Sequence, residues 1–370
     1  MKMRKIQFVD LKAQYLSIKE SIDEAISSVI NDTAFIGGKY VETFEKEFAN
    51  LYGVKHCISV ANGTDSLFII MKMLGIGQGD EVITVANSWI SSSETISLCG
   101  ATPVFVDIDP VYYTIDENKL ESAITSKTKA ILPVHLYGQA CEMDKLCKIA
   151  NKFDLPIIED CAQSHFSEFK GKRVGTVGIA GSFSFYPGKN LGAYGDAGCI
   201  ITDDDDLALK FRMFARHGAL RKHFHQIEGI NSRMDGLQAA ILTAKIPHIL
   251  NWTTLRIQNA NQYDALLKDI PNIIIPARRA ECKHTFHLYV IRAEKRDELS
   301  LFLKENGVET AIHYPTSLPN LSAYRYLGYS SADYPVASKY QSEILSLPMY
   351  SELSYDDIKY ISDIIRRFYS

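Results

Sequence analysis

Between about residue 50 and residue 245, short apolar runs alternate with amphipathic segments, and this alternation restricts the fold more than any other feature. Segments 66–74 and 142–153 repeat apolar residues at i, i+3 and i+4, as helices do. Apolar runs bounded by Gly, Asp or Pro between such segments are typical of the strands of βα units. We therefore predict an α/β fold with a mixed, mostly parallel sheet. The predicted strands are 56–61, 81–85, 102–106, 130–135, 156–159, 181–185 and 199–202.

After about residue 245 the pattern changes to a long helix over 252–267, a strand over 285–292, a helix over 296–306, a strand over 309–314 and terminal helices. We predict a large domain over 1–245 that binds the ligand and a smaller α+β C-terminal domain over 246–370. A further helix over 11–31 is expected to pack across one or both domains. In a mainly parallel sheet, ligands bind beyond the carboxyl ends of the strands, so functional residues are expected directly after the strands.

Charge and composition exclude several classes of protein. The net charge is −4 and the basic residues are spread along the chain, so no nucleic-acid partner is expected. No stretch approaches the roughly 20 apolar residues of a membrane helix, and the charged start lacks a signal core, so no membrane association and a cytoplasmic location are expected. The seven cysteines include no C-x-x-C pair, which favours thiols that fill the core over a disulfide framework or a metal site.

The segment 181–198 joins two predicted strands through glycines and aromatic residues, and it contains a single lysine, Lys189. A partly desolvated amine in such a pocket is nucleophilic and suits Schiff-base chemistry. The alternative is a solvated lysine in a surface loop. Asp160 ends another predicted strand, where a carboxylate can keep a pyridine nitrogen protonated, and Gln163 follows three residues later. Asp160 could instead cap a helix that begins at Cys161.

A phosphate site is predicted where the strand 56–61 meets the next helix. Gly63, Thr64 and Asp65 open that helix, so backbone N–H groups and hydroxyls converge at a helix N-terminus. Ser184 lies five residues before Lys189 and could add a further hydroxyl. Trp89 follows another strand and could stack on a ring, although core packing is an equally good interpretation. A Schiff-base lysine, a carboxylate for a pyridinium, a phosphate cup and a ring stack together indicate a pyridoxal 5'-phosphate site.

The chain resembles the DegT/DnrJ/StrS family of sugar-nucleotide aminotransferases, which are fold type I pyridoxal phosphate enzymes. The matching motifs run in order along nearly the whole chain: 61–67 (ANGTDSL), 100–107 (GATPVFVD), 133–138 (PVHLYG), 159–165 (EDCAQSH), 182–189 (SFSFYPGK), 195–198 (GDAG), 231–240 (NSRMDGLQAA) and 313–315 (HYP). The resemblance implies a homodimer with shared active sites.

The resemblance also implies roles for individual residues. Lys189 would form the Schiff base and move protons, Asp160 would pair with the pyridine nitrogen, and Gln163 would lie near the cofactor hydroxyl. The residues implied at the phosphate are Gly63, Thr64, Asp65 and Ser184, with Trp89 on the ring face and Asn231 reaching the phosphate of the neighbouring subunit.

Tyr186 departs from the commonest pattern of the family, because many members that aminate C4 of the sugar have His three residues before the lysine. Tyr186 resembles the branch that aminates C3 of 3-keto sugar nucleotides, and His165 resembles part of that branch's sugar pocket. His313 and Tyr314 match a segment expected to touch the sugar nucleotide. A structural Tyr hydroxyl, a core His and a plain strand-end aromatic are the alternatives.

The resemblance implies amino transfer from L-glutamate to a nucleotide-linked keto sugar, with C3 of a dTDP-3-keto-6-deoxyhexose as the favoured acceptor. The alternatives are C4 amination of a 4-keto-6-deoxy sugar nucleotide and amination of a UDP-3-keto uronic acid. A non-catalytic regulatory protein that binds the cofactor is a third possibility. A nicotinamide enzyme is disfavoured, because no G-x-G-x-x-G follows the first strand. The family implies that the product enters bacterial surface polysaccharide, such as the O-antigen of lipopolysaccharide, or a glycosylated natural product.

Overall fold

The structure, a computed structural model, describes residues 4–370. The α-helices of this part of the chain are α1 (Leu11–Ser17), α2 (Lys19–Asn31), α3 (Lys39–Tyr52), α4 (Gly63–Met73), α5 (Ser91–Leu98), α6 (Glu117–Leu120), α7 (Met143–Lys152), α8 (Asp205–Phe214), α9 (Gly236–Lys245), α10 (Ile249–Leu267), α11 (Arg296–Glu305), α12 (Pro335–Tyr340) and α13 (Tyr355–Phe368). The strands are β1 (His56–Val60), β2 (Glu81–Val85), β3 (Thr102–Val106), β4 (Thr128–Leu132), β5 (Ile158–Asp160), β6 (Glu168–Phe169), β7 (Lys172–Arg173), β8 (Ala180–Ser184), β9 (Gly198–Thr202), β10 (Ala219–Arg221), β11 (Phe224–His225), β12 (Ile273–Ile274), β13 (Cys282–Lys283), β14 (Tyr289–Ala293) and β15 (Ile344–Leu347).

The main sheet is mixed and mostly parallel, as the alternating pattern predicts. One part has the order β3-β2-β4 and the other β1-β9-β8-β5. Parallel bridges from Ile131 to Ile157 and from Val134 to Asp160 connect β4 with β5, so the two parts form one layer. Strand β9 runs antiparallel to both of its neighbours, β1 and β8, and the remaining pairs are parallel. The carboxyl ends of β1, β2, β5 and β8 therefore lie along one edge of the sheet.

The predicted N-terminal helix forms as two helices instead of one. The predicted helix over 11–31 is broken at Ile18, which has a non-helical backbone (φ −133°, ψ 26°) and separates α1 from α2. The Ile18 side chain is buried, so the break turns an apolar residue into the core where a straight helix would place it elsewhere.

A second, antiparallel sheet with the order β12-β14-β15 lies towards the C-terminus. The predicted strand over 309–314 does not form, because only Ala311 pairs, through a single bridge to Ser346. Strand β14 instead pairs with β15, as well as with β12, and β15 is buried along its whole length. The sequence pattern missed β15 because its four residues follow a short helix without a clear turn signal.

Two apolar cores underlie the two sheets. The larger core surrounds the main sheet and also includes Leu318, Tyr324 and Tyr334 from the C-terminal part of the chain. The smaller core contains residues from Ala260 onward together with Ile6 from the N-terminal segment. Chain segments thus cross between the two cores at both ends, and the boundary between residues 245 and 246 stays a prediction. Within residues 4–370, no helix combines the length and the apolar character needed to cross a bilayer.

Candidate active site

A cavity of about 670 Å³ opens at the carboxyl edge of the main sheet, where the sequence predicts the functional residues. It brings together residues as far apart in the chain as Phe8 and Tyr314. The predicted site residues that line it are Gly63, Thr64, Trp89, Asp160, Gln163, Ser184, Tyr186, Lys189, His313 and Tyr314.

Lys189 lies in the loop after β8, where its backbone N–H donates to the carbonyl of Tyr186 (2.8 Å). Burial lowers the pKa of the Lys189 amine to about 8, and the charge of Asp160 only partly opposes this effect. Among residues 4–370, no group forms a hydrogen bond with Lys189 Nζ. The amine is therefore unpartnered in the cavity, and near neutral pH its neutral, nucleophilic fraction is larger than that of a solvent-exposed lysine.

Asp160 ends β5 and is buried to 4% exposure. Its Oδ2 accepts a hydrogen bond from Ser92 Oγ (2.8 Å), and its Oδ1 accepts one from the backbone N–H of Ala162 (3.1 Å). Burial raises the pKa of Asp160, whereas these two donors and Lys189 favour the carboxylate. No helix begins at Cys161, so the helix-cap alternative for Asp160 is wrong.

The predicted phosphate cup lies at the N-terminus of α4. Asn62 caps this helix, since its Oδ1 accepts from the backbone N–H of Asp65 (2.8 Å). A Cβ on Gly63 would lie 2.7 Å from the Cβ of Ser184, so only glycine lets α4 approach β8 this closely. The hydroxyls of Thr64 and Ser91 are 2.7 Å apart at the same place. The first turn of α4 thus offers an anion a positive helix end and hydroxyl groups.

Asp65 differs from the other residues predicted for the phosphate cup. It does not line the cavity, and its backbone N–H is already engaged by the cap on Asn62. A carboxylate beside a phosphate dianion would also repel it. Gly63, Thr64 and Ser184 line the cavity at the predicted cup, whereas Asp65 closes the first turn of α4, and its contact with a phosphate stays a prediction.

Gln163 is held by two hydrogen bonds that fix the orientation of its amide. Its Oε1 accepts from the backbone N–H of Tyr137 (2.9 Å), and its Nε2 donates to the hydroxyl of Tyr314 (2.8 Å). The donor side of the amide therefore faces the cavity. A donor at this place suits an anionic ring oxygen such as the cofactor hydroxyl.

Two aromatic side chains stand at the mouth of the cavity. Trp89 is 58% exposed, so core packing does not explain it, and its ring lies 5.8 Å from that of Tyr314. Tyr186 is 59% exposed. Exposed aromatic faces at the rim of a cavity are available to stack on a ring or on a sugar.

His313 lines the cavity from the C-terminal part of the chain. Its Nδ1 lies 2.9 Å from the hydroxyl of Ser346, and its ring stacks on Phe8 at 5.7 Å. Burial, with a smaller contribution from the charge of Lys189, lowers the pKa of His313 to about 4. His313 is therefore a neutral hydrogen-bonding group at neutral pH.

His165 and Asn231 do not reach the cavity of their own chain. His165 is fully buried and packs against Phe183 and Phe185, and its predicted contact with the sugar stays a prediction. The Ala-Gln-Ser-His motif places it behind the cavity wall, where burial lowers its pKa to about 3. Asn231 is exposed and pairs with Arg216 through a backbone bridge, so its role at the neighbouring subunit stays a prediction.

Sequence reasoning missed several lining residues. Ser88 and Ser92 flank Trp89 in the chain, and the serine-rich stretch after a strand end was the signal that could have identified them. His287 gave no such signal, because it precedes a strand and reaches the cavity only through the packing of the second sheet.

A buried acid lies directly behind Asp160. Glu159 accepts hydrogen bonds from the backbone N–H groups of Gly175 (2.7 Å), Val177 (2.8 Å) and Gly178 (2.6 Å), and its Oε2 lies 2.9 Å from His135 Nε2. Burial alone would raise the pKa of Glu159, but these donors hold it below its ordinary value. Because both oxygens are occupied, this group is a structural support for β5 and offers no ligand to a metal ion.

These observations fit a cofactor that carries an aldehyde, a pyridine nitrogen and a phosphate. The unpartnered amine of Lys189 matches the aldehyde, the buried Asp160 matches the nitrogen, and the start of α4 matches the phosphate. Such a set at the carboxyl edge of a mainly parallel sheet defines a pyridoxal phosphate enzyme of fold type I.

Comparison with known proteins agrees with this class. The model of the DegT/DnrJ/EryC1/StrS aminotransferase family matches residues 16–366. The chain therefore belongs to the DegT/DnrJ/EryC1/StrS aminotransferase family. Aminotransferases of this family use pyridoxal phosphate, which confirms the predicted cofactor.

Individual relatives cover almost the whole chain. A pleiotropic regulatory protein from Geobacillus stearothermophilus is 43% identical and covers 98% of both chains. UDP-2-acetamido-2-deoxy-3-oxo-D-glucuronate aminotransferase from Pseudomonas aeruginosa is 43% identical over 96% of this chain and 98% of its own. The dTDP-3-amino-3,6-dideoxy-alpha-D-galactopyranose transaminase of Aneurinibacillus thermoaerophilus is 40% identical, and the match covers 98% of this chain and 99% of that protein. The crystal structure of DesV from S. venezuelae, in complex with a ketimine intermediate, superposes with a TM-score of 0.97 at 37% identity and covers 99% of each chain.

Proposed function

We propose that this aminotransferase moves the amino group of L-glutamate to C3 of a dTDP-linked 3-keto-6-deoxyhexose and releases a dTDP-3-amino-3,6-dideoxyhexose. We choose C3 because of Tyr186. This residue stands where many C4-aminating members have His, and its side chain is exposed at the mouth of the cavity. The relative from Aneurinibacillus thermoaerophilus supports this choice, since it is named for a dTDP-3-amino-3,6-dideoxy sugar.

A UDP-linked 3-keto uronic acid is the second candidate, because the Pseudomonas aeruginosa relative is named for such a substrate. The charge of the cavity supports the 6-deoxy sugar instead. Within residues 4–370, the lining contains one lysine, Lys189, and no arginine. The two lining histidines, His287 and His313, are kept neutral by burial. A sugar carboxylate would thus find no cation of this chain besides the amine that the reaction requires.

The residues of the site suit both halves of an amino transfer. When bound, pyridoxal phosphate withdraws electrons from the carbon that carries the amino group. The neutral form of Lys189 Nζ, which the lowered pKa of about 8 favours, can attack a carbonyl and can accept a proton from a substrate carbon. Asp160 would hold the proton on the ring nitrogen, and Gln163 would donate to the ring oxygen. The walls formed by Trp89 and Tyr186 would limit the access of water.

We propose further that the enzyme works as a homodimer in which Asn231 reaches the cofactor phosphate of the neighbouring subunit. Its exposure on the surface of its own chain supports this role. We also propose a cytoplasmic location and a place in the supply of amino sugars for bacterial surface polysaccharide, including O-antigen, or for glycosylated natural products.

The test follows the absorbance of the bound cofactor through each half-reaction. Addition of L-glutamate should convert the cofactor band to that of pyridoxamine phosphate, and dTDP-3-keto-6-deoxyglucose or its galacto isomer should restore it. A regulatory protein without catalytic activity would show neither change. Restoration only by a 4-keto sugar or by a UDP-3-keto uronic acid would refute the choice of C3 or of the dTDP-linked sugar, respectively.

Tyr186→Phe supplies a matched variant for the assignment of the acceptor. The half-reaction with L-glutamate should keep its rate, because the hydroxyl is assigned to the sugar. The half-reaction with the 3-keto sugar should slow. Equal slowing of both half-reactions would contradict a role of Tyr186 in acceptor recognition.

A further inference from the structure

Two serine hydroxyls form a continuous line of hydrogen bonds to Asp160. Ser88 Oγ lies 2.8 Å from Ser92 Oγ, and Ser92 Oγ lies 2.8 Å from Asp160 Oδ2. Ser88 is 4% exposed, Ser92 1% and Asp160 4%. Both serines also line the cavity. The line therefore runs along the wall of the site and is shielded from bulk water.

The direction of each hydrogen bond follows from the chemistry of the groups. An ionised carboxylate only accepts, so the hydroxyl proton of Ser92 points to Asp160 Oδ2. The same hydroxyl then has only lone pairs left for Ser88, so the proton of Ser88 points to Ser92. Both dipoles are thus aligned toward the carboxylate, and aligned hydroxyls in a shielded site strengthen each other.

We propose that Ser88 and Ser92 are positioning residues that keep Asp160 ionised and aimed at the pyridine nitrogen of the cofactor. The inference rests on the proposed pairing of Asp160 with that nitrogen. The carboxylate has three further supports: the N–H of Ala162 on Oδ1 and the charges of Lys189 and His135. In the cofactor-bound enzyme Lys189 is engaged elsewhere, so the direct hydrogen bonds from Ser92 and from the N–H of Ala162, with the charge of His135, oppose the desolvation of the acid.

The same serines connect Asp160 to the side chain predicted to stack on the ring. Ser88 directly precedes Trp89, and the backbone N–H of Ser92 donates to the carbonyl of Trp89 (3.2 Å). The turn that carries Trp89 is therefore fixed to the acid that is predicted to bind the ring nitrogen. Ring stacking and ring protonation would both depend on this short segment.

The test combines cofactor affinity with the protonation of the ring nitrogen. The full-length protein is loaded with pyridoxal phosphate labelled with ¹⁵N, and the pyridine resonance is measured for wild type, Ser92→Ala and Ser92→Thr. We expect Ser92→Ala to bind the cofactor about tenfold more weakly, because a hydrogen bond to a charged group is lost. Its nitrogen signal should move toward that of the unprotonated ring. Ser92→Thr keeps the hydroxyl and should restore both measurements.

Ser93→Ala is the matched control, because it removes a buried hydroxyl one position further along α5. Ser93 bonds to Tyr324 and to the carbonyl of Ile90 and does not touch Asp160. Its nitrogen signal should equal that of wild type. The same displacement in Ser93→Ala would mean that any disturbance of α5 alters the ring, and the proposal would be overturned.

Ser88→Ala interrupts the line of hydrogen bonds but keeps Ser92, the residue that donates directly to Asp160. It should produce a smaller effect of the same sign in the wild-type background and none in the Ser92→Ala background, since its influence passes through Ser92. Equal effects in both backgrounds would refute the line. If Ser92→Ala does not fold, Ser88→Ala in the wild-type background and Ser92→Thr provide the measurement.

Asp160→Asn distinguishes the pairing of Asp160 with the ring nitrogen from the role of the two serines. If Asp160→Asn displaces the nitrogen signal and Ser92→Ala does not, the pairing of Asp160 stands and the role of the serines fails. If Asp160→Asn leaves the signal unchanged, the pairing itself is wrong, and the inference fails with it.

Discussion

Lys189→Met is expected to stabilise the cofactor-free protein while it abolishes turnover. The amine of Lys189 is held in the cavity without a hydrogen-bond partner among residues 4–370, and burial lowers its pKa. Desolvation of this charged amine therefore destabilises the folded state, and no hydrogen bond to the amine offsets the cost. Methionine keeps a similar length and removes the charge.

The size and the sign of the effect follow from the pKa. A shift from 10.5 to about 8 corresponds to an upper limit of about 3 kcal/mol at about 1.4 kcal/mol per unit. The side chain is partly exposed, so solvent screening reduces the expected gain to about 1–2 kcal/mol. Below a pH of about 8 the lysine is charged in both the folded and the unfolded state, and the penalty is present in full. As the pH rises from about 8 to 10.5 the folded state loses its proton first, so the wild type gains stability and the advantage of Lys189→Met disappears.

Urea unfolding of the cofactor-free proteins at about pH 7 and about pH 10 measures this difference. Lys245→Met is the matched control, because burial lowers the pKa of Lys245 to about 8 as well. The Lys245 amine, however, donates to Gly192 O (2.7 Å) and Gln14 Oε1 (3.1 Å), and its loss leaves these buried acceptors unpaired. Lys245→Met should therefore be less stable than Lys189→Met at about pH 7. A Lys189→Met protein that is less stable than wild type, or a gain that does not change with pH, would refute the reasoning.

The remaining predictions concern the ring face and the neighbouring subunit. Trp89→Ala should weaken the binding of pyridoxal phosphate in equilibrium dialysis by about two- to twelvefold, the value of a lost aromatic stack of about 0.5–1.5 kcal/mol, and unchanged affinity would exclude stacking. Lys189→Ala and Asn231→Ala should each be inactive, but a mixture that has exchanged subunits should recover about a quarter of the wild-type activity, because each mixed dimer has one intact site. No recovery would mean that Asn231 acts in the site of its own chain.

The main sheet could be predicted because its strands leave a local signal. Strands β2 and β3 begin and end at the predicted residues, and the others are displaced by at most a few positions. Parallel strands buried on both faces are apolar along their length, so composition alone identifies them. The small C-terminal sheet lacks this signal. Strand β15 depends on pairing with β14, and segment 309–314 stays irregular although its residues suit a strand, because tertiary contacts decide between two short candidates.

The sequence predicts those site residues that lie at strand ends or within recognisable motifs. Lys189, Asp160 and the start of α4 follow strands that were identified, and the topology brings them to one edge. Adjacency in a motif does not imply contact with the same ligand, however. His165 belongs to the same motif as Asp160 and Gln163, yet the turn after β5 directs it into the core. Hydrophobic periodicity does not predict where the side chains of such a turn point, because a turn has no repeating backbone conformation.

The side chains around the cavity differ in how completely their hydrogen bonds are formed, and no single motif indicates this difference. Glu159, directly behind the cavity, has all its acceptor positions occupied by three backbone N–H groups and His135, and the amide of Gln163 is held at both ends. Lys189, which faces the cavity, has no such partner. Saturated groups are rigid, and an unsaturated buried amine gains free energy only when a ligand supplies its partner. Around the predicted ring, Glu159 and Gln163 are thus fixed by their hydrogen bonds, whereas the amine predicted to react is left free to bond to a ligand.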